Sequence, residues 1–137
     1  MRTPSPQRPT LQPLPVVLTG VSYRKQNGPS QAIRAGDFIF TAGQLGLDPT
    51  TKKLVEGGVE AQAGQALTNL QAVLVAAGSG MDRAVKATVF MADINDFAAV
   101  NAVYAEFFTQ NPPARSAAQV AALPLGGLVM IEVVALC

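Results

Sequence analysis

A chain of 137 residues with 49% hydrophobic and 14% charged residues is large enough for one domain with a real core, and too apolar for a disordered protein. Ten basic against nine acidic residues leave a formal charge of +1, no electrostatic footprint for nucleic acid. The absence of histidine removes histidine triads, imidazole metal sites and histidine acid–base pairs, and the single cysteine, Cys137, excludes an intrachain disulfide or a thiolate metal cluster.

No apolar run reaches the roughly 18 residues that a membrane span needs. No membrane partner is therefore expected, and the plain expectation is an intracellular, cytoplasmic protein. The apolar excess points instead to surface covered by another subunit.

Composition divides the chain near residue 27. Residues 1–27 hold five prolines (Pro4, Pro6, Pro9, Pro13, Pro15) and four basic residues, and the first acid anywhere is Asp37. Proline fixes φ and removes a backbone donor, so this stretch suits neither a helix interior nor a central strand. It reads as a flexible tail, as a mitochondrial or plastid targeting segment, or as a proline-rich ligand for a partner. Residues 28–137 read as a single domain.

Within that domain, Ala32–Ala35 and Phe38–Ala42 are short strands joined by the hairpin signal Gly36-Asp37. Residues 43–58 are turn-rich. Apolar residues at Val59, Ala63, Ala66, Leu67, Leu70, Val73, Leu74 and Ala77 give the 3.6-residue period of a helix over 59–77, with Gly78 placed for a left-handed cap. Ala84–Met91 is rich in β-branched residues and predicts a strand. Asp93 or Asn95 caps a second helix over 96–108, whose core stripe is Phe97, Val100, Tyr104, Phe107 and Phe108. Pro112-Pro113 ends it, and closing strands follow at 115–121 and 128–136. The last is nearly all apolar, as for a strand buried on both faces. The order β-β-α-β-α-β-β predicts an α+β domain with two helices on one face of a mixed sheet, the other face being covered by oligomerisation.

Several segments resemble the reactive intermediate deaminase (Rid/YjgF) family. They are Gly28-Pro29 with Ser30-Gln31-Ala32-Ile33, then Phe40-Thr41-Ala42-Gly43-Gln44, Leu47-Asp48-Pro49, Ala76-Ala77-Gly78 and Lys86-Ala87-Thr88-Val89-Phe90. Ala92-Asp93-Ile94-Asn95-Asp96-Phe97 with Val100-Asn101, Pro113-Ala114-Arg115-Ser116 and Leu123-Pro124 complete an ordered set over residues 28–136. The resemblance implies a chorismate-mutase-like fold and a homotrimer with sheets facing inward and clefts between subunits. It also implies hydrolysis of 2-iminobutanoate and 2-iminopropanoate to 2-oxo acids and ammonia, with no metal or organic cofactor. An older description of the family as ribonucleases finds no support in a chain without histidine, basic stripe or acid cluster.

A 2-imino acid carries a carboxylate beside the reacting carbon, and a guanidinium fork grips a carboxylate bidentately. Arg115 stands where the family's substrate arginine stands. It is also the only charged residue between Glu106 and Glu132. The resemblance assigns the rest of the cleft lining to the surroundings of Gly43, Asn101, Ala117 and Met130. Outside the resemblance, Gly43 also reads as a turn glycine, Asn101 as a solvated helix residue, and Arg115 as a surface arginine.

Three positions depart from the family pattern. Gly28-Pro29-Ser30-Gln31 lacks the tyrosine of Gly-Pro-Tyr-Ser-Gln, apparent as a one-residue deletion. Met130 stands where a glutamate thought to position the hydrolytic water is usual, and a cysteine found in some relatives is Ala117. Met130 accepts no proton, and Glu132, two strand positions away, does not replace the missing group without a register change. Two functions are thus expected as alternatives: a slow or altered imine deaminase, or a non-catalytic small-carboxylate binding or chaperone-like protein.

Overall fold

The computed structural model describes residues 30–137; the proline-rich stretch, Tyr23 and Gly28-Pro29 lie outside the described residues. The elements are β1 (Ala32–Ala35), β2 (Phe38–Thr41), β3 (Gln44–Leu45), α1 (Gly58–Ala76), β4 (Ala84–Met91), α2 (Phe97–Phe107), β5 (Ala114–Gln119) and β6 (Val129–Leu136). The sheet order is β1-β2-β6-β4-β5, with β3 also on β6. Among the described residues only β4 and β5 pair in parallel, so the sheet is mixed as expected.

This order explains why both helices share a face. β3 and β4 are both antiparallel to β6 and so run the same way, and β5 runs parallel to β4. The connections through α1 and α2 both step toward the β5 edge. Crossovers of one hand that step in one direction put their helices on the same side, and α1 packs against α2 and β6.

The core follows from the two periodicities. α1 turns Ala63, Ala66, Leu67, Leu70, Val73 and Leu74 inward, all fully buried. They meet Val129, Ile131, Val133 and Ala135 of β6, every second residue of that strand. α1 ends in a Schellman motif: Gly78 takes φ +82°, its N–H reaches Val75 O at 3.0 Å, and Ser79 N–H reaches Leu74 O at 2.8 Å.

Four expectations need correction. The turn-rich stretch contains β3, too short to show a strand period. The second helix opens with a 3-10 turn at Ile94–Asp96 before α2, and the capping side chain is Asp93, which accepts from Asn95 N–H at 2.9 Å. Phe97 belongs to no core stripe; it is 40% exposed. Finally, β6 is fully buried on one face only: Met130, Glu132 and Val134 are half-buried and Leu136 is exposed, because no element among the described residues covers that side. Exposed Ile33, Phe38 and Phe40 extend the same open face across β1 and β2.

Between β2 and β3 the chain carries one residue more than β6 does across from it, since Phe40 pairs with Val134 and Gln44 with Ile131. This is a β-bulge. Thr41 bridges it, its hydroxyl donating to Val133 O at 3.2 Å and accepting from Val133 N–H at 2.9 Å. Asn69 of α1, fully buried, then holds the strand that follows: its Nδ2 donates to Leu45 O at 3.3 Å and Leu47 O at 3.0 Å, and its Oδ1 accepts from Gln65 at 2.8 Å. Replacing Asn69 by Leu keeps the branched shape but strands these polar groups. It is expected to destabilise the fold by about 2–3 kcal/mol, the cost of leaving buried groups unpaired, read as a lower urea midpoint with unchanged slope.

Candidate functional site

β5 forms the sheet edge, and Pro112-Pro113 ends the preceding turn so that Arg115 is its second residue. Arg115 pairs in register with Ala87, and parallel partners point to the same face. Ala87 is fully buried under the helices, so Arg115 also lies on the helix side. There its Nη1 donates to Asn101 Oδ1 at 2.6 Å. Its Cζ lies 4.7 Å from the Tyr104 ring centroid and 5.3 Å from that of Phe97. No carboxylate among the described residues pairs with it. A groove of about 420 Å³ adjoins it, lined by Asn101, Tyr104, Phe108, Pro112, Pro113 and Arg115.

Tyr104 is 5% exposed and its hydroxyl has no hydrogen-bond partner. Burial pushes its phenol above the usual range, and the nearby Arg115 charge pulls it partly back. The phenol is therefore neutral at ordinary pH and leaves the positive charge of the guanidinium uncompensated. An exposed, undischarged guanidinium beside an apolar groove is suited to a small carboxylate with an apolar body.

Two further residues expected at the site stand elsewhere. Met130 pairs with Phe90 and Leu45 and lies half-buried on the open face of the sheet. Its thioether rests on Gly43, so closely that a Cβ on Gly43 would sit 2.7 Å from the Met130 sulfur. Only glycine permits that approach. Gln31 belongs to the same neighbourhood, since Ala42 N–H donates to its carbonyl at 2.8 Å. The pattern position that lacks its tyrosine thus precedes a segment tied to the Gly43 turn.

The single chain brings Arg115 and Asn101 together, and separately Gly43 and Met130. It does not join the two sets, because β4 separates β5 from β6 and the sets occupy opposite faces. Ala117 shares the Arg115 face but packs against the core and does not line the groove. Phe97 and Tyr104 were the residues missed. Their spacing with Asn101, at i, i+4 and i+7, marks one stripe of α2 and is the signal that points to them. Among the described residues no group of three or more candidate ligands is placed to hold a metal ion.

Residues 23–137 match the family described as Endoribonuclease L-PSP. Over 106 residues, 77% of each chain, the sequence is 55% identical to the 2-iminobutanoate/2-iminopropanoate deaminase of Capra hircus. It is 50% identical over 107 residues, 78% of each chain, to the human protein of that name. Among solved structures, Escherichia coli TdcF with bound serine superposes with a TM-score of 0.84 at 35% identity, covering 90% of this chain and 99% of that one. RidA from an Antarctic Psychrobacter also superposes with a TM-score of 0.84, at 39% identity over 90% of this chain and all of that one. With the ordered motifs, the shared fold and a family match that spans most of its length, this chain belongs to the Rid/YjgF (endoribonuclease L-PSP) family.

Proposed function

We propose that the protein hydrolyses small 2-imino acids to 2-oxo acids and ammonia, and that Arg115 holds the substrate carboxylate. The observation that carries this reading is the Arg115 guanidinium, fixed on one edge by Asn101 and facing no acid. The names of the goat and human relatives supply the reaction class. Water adds across the C=N bond, its oxygen bonding to carbon while a proton goes to nitrogen. The C–N bond then breaks, ammonia leaves with a second proton, and the new hydroxyl becomes the ketone. Arg115 orients the reacting carbon and balances the carboxylate charge throughout.

The assembly belongs to the same reading. An open sheet face carrying Ile33, Phe38, Phe40 and Leu136 suits burial against further copies, in a homotrimer with sheets facing inward. Such packing is what would set the Arg115 and Asn101 of one protomer near the Gly43 and Met130 of another. With Met130 in place of a carboxylate, the cleft holds the ligand but lacks a side-chain acceptor for water. Slow turnover, and preference for a less polar ligand, follow from that exchange. No helix is long and apolar enough to cross a membrane among the described residues.

Three outcomes test this reading. Light scattering is expected to give about three times the chain mass of 14.2 kDa; a monomer at micromolar concentration removes the shared cleft. Calorimetry with 2-oxobutanoate is expected to show binding weakened at least tenfold, on the order of one lost charge-assisted hydrogen bond, in Arg115→Lys. Because Arg115 is exposed, the melting temperature should hold; equal binding by Arg115→Ala overturns the anchor. In a coupled assay of 2-iminobutanoate decay, Met130→Glu with a tyrosine inserted between Pro29 and Ser30 is expected to raise the rate about 10²-fold or more. Ligand binding with no hydrolysis in the natural sequence would favour a carboxylate-binding protein, the reading to which the apolar Met130 points.

A further inference from the structure

Phe97, Asn101 and Tyr104 lie one and two turns apart on α2, and all three touch the same group, the Arg115 guanidinium. The two rings and the amide do different work. Asn101 takes one N–H of the fork and so fixes its rotation. The rings constrain the plane, because a guanidinium over an aromatic face gains from lying along it. Tyr104 is itself braced from behind by Phe108, with ring centroids 4.5 Å apart.

The partner chosen to hold an arginine matters for what the arginine then does. A carboxylate would neutralise the fork and compete with an incoming anion. An aromatic ring holds it while leaving the charge and the remaining N–H groups for a ligand. Tyr104 also carries the one buried side-chain polar atom without a partner among the described residues, its hydroxyl. Within the described residues the contact of Tyr104 with Arg115 is made by the ring.

We infer that Tyr104 is a positioning residue: its ring, braced by Phe108 and assisted by Phe97, sets the plane in which Arg115 presents its free edge to a ligand carboxylate. The inference rests on the carboxylate-anchor reading of Arg115. A core filler at this position needs apolar volume, which leucine supplies in part. A positioning ring would be served only by another ring.

The test uses the full chain and two readouts. In proton–nitrogen correlation spectra, the Arg115 Nε–H resonance is expected upfield of free arginine through the ring current. It should stay there in Tyr104→Phe and move downfield in Tyr104→Leu, leaving only the smaller shift that Phe97 causes. In calorimetry with 2-oxobutanoate, Tyr104→Leu is expected to weaken binding about tenfold, Tyr104→Phe to recover it, and Tyr104→Leu to add nothing in an Arg115→Ala background. Should Tyr104→Leu fail to fold, Phe97→Leu, at an exposed position, carries the same resonance test with a smaller downfield move.

A wild-type resonance already at the free position, or one that the leucine variants leave in place, overturns the inference. So does a loss in Tyr104→Phe equal to that in Tyr104→Leu, which would assign the effect to the hydroxyl. If 2-oxobutanoate binds Arg115→Ala as tightly as wild type, the anchor reading falls separately, and the resonance alone then decides whether the ring sets the guanidinium.

Discussion

The side-chain alternation of β6 is the constraint from which the rest follows. β2 and β3 pair with one edge of this strand and β4 with the other, so each of its residues is committed to one of two faces. Val129, Ile131, Val133 and Ala135 receive α1, and Met130, Glu132, Val134 and Leu136 face away. A slip of one residue would exchange the two sets and put Glu132 under the helices. The Thr41 hydrogen bonds guard against that slip, because both tie its hydroxyl to the backbone of Val133 in β6.

Much of the fold was legible because its signals are local and periodic. The 3.6-residue stripe of α1, the β-branched run of β4 and the Gly78 stop each depend on neighbours in sequence. β3 was not legible: two residues cannot display a period, and their pairing is set by a bulge across from β6. The apolar run of β6 suggested burial on both faces, yet one face is only half-covered by the described residues. Composition reports that a surface avoids water but says nothing about which molecule covers it.

The site was legible to a different extent. Arg115 and Asn101 were both singled out by the family resemblance, and in the structure Arg115 Nη1 lies 2.6 Å from Asn101 Oδ1. Their meeting depends on the β4–α2–β5 crossover, which lays α2 over the start of the edge strand. Phe97 and Tyr104 were read as core because apolar spacing on a helix marks a packed face without saying what packs there. Here part of that face packs against a guanidinium. Met130 and Gly43 were expected beside Arg115, but strand order cannot be read from a single sequence, and β4 lies between.

The division of the expected site into two faces bears directly on the chemistry. Alone, the Arg115 side of the sheet has the features that suit an anion: a charged fork, an amide bonded to it and aromatic rings that leave its charge intact. Holding a carboxylate beside C=N contributes orientation and charge balance, but it moves no proton. Proton movement needs an acceptor from elsewhere, and the Met130 thioether on the opposite face offers none. Imines hydrolyse readily without help, so a cleft that only orients the substrate and admits water still serves such a reaction, whereas amide hydrolysis would demand more. For the proposed hydrolysis, the electrostatic half of the task would lie on this single chain, and the water-handling half would fall to main-chain groups and to whatever covers the open face.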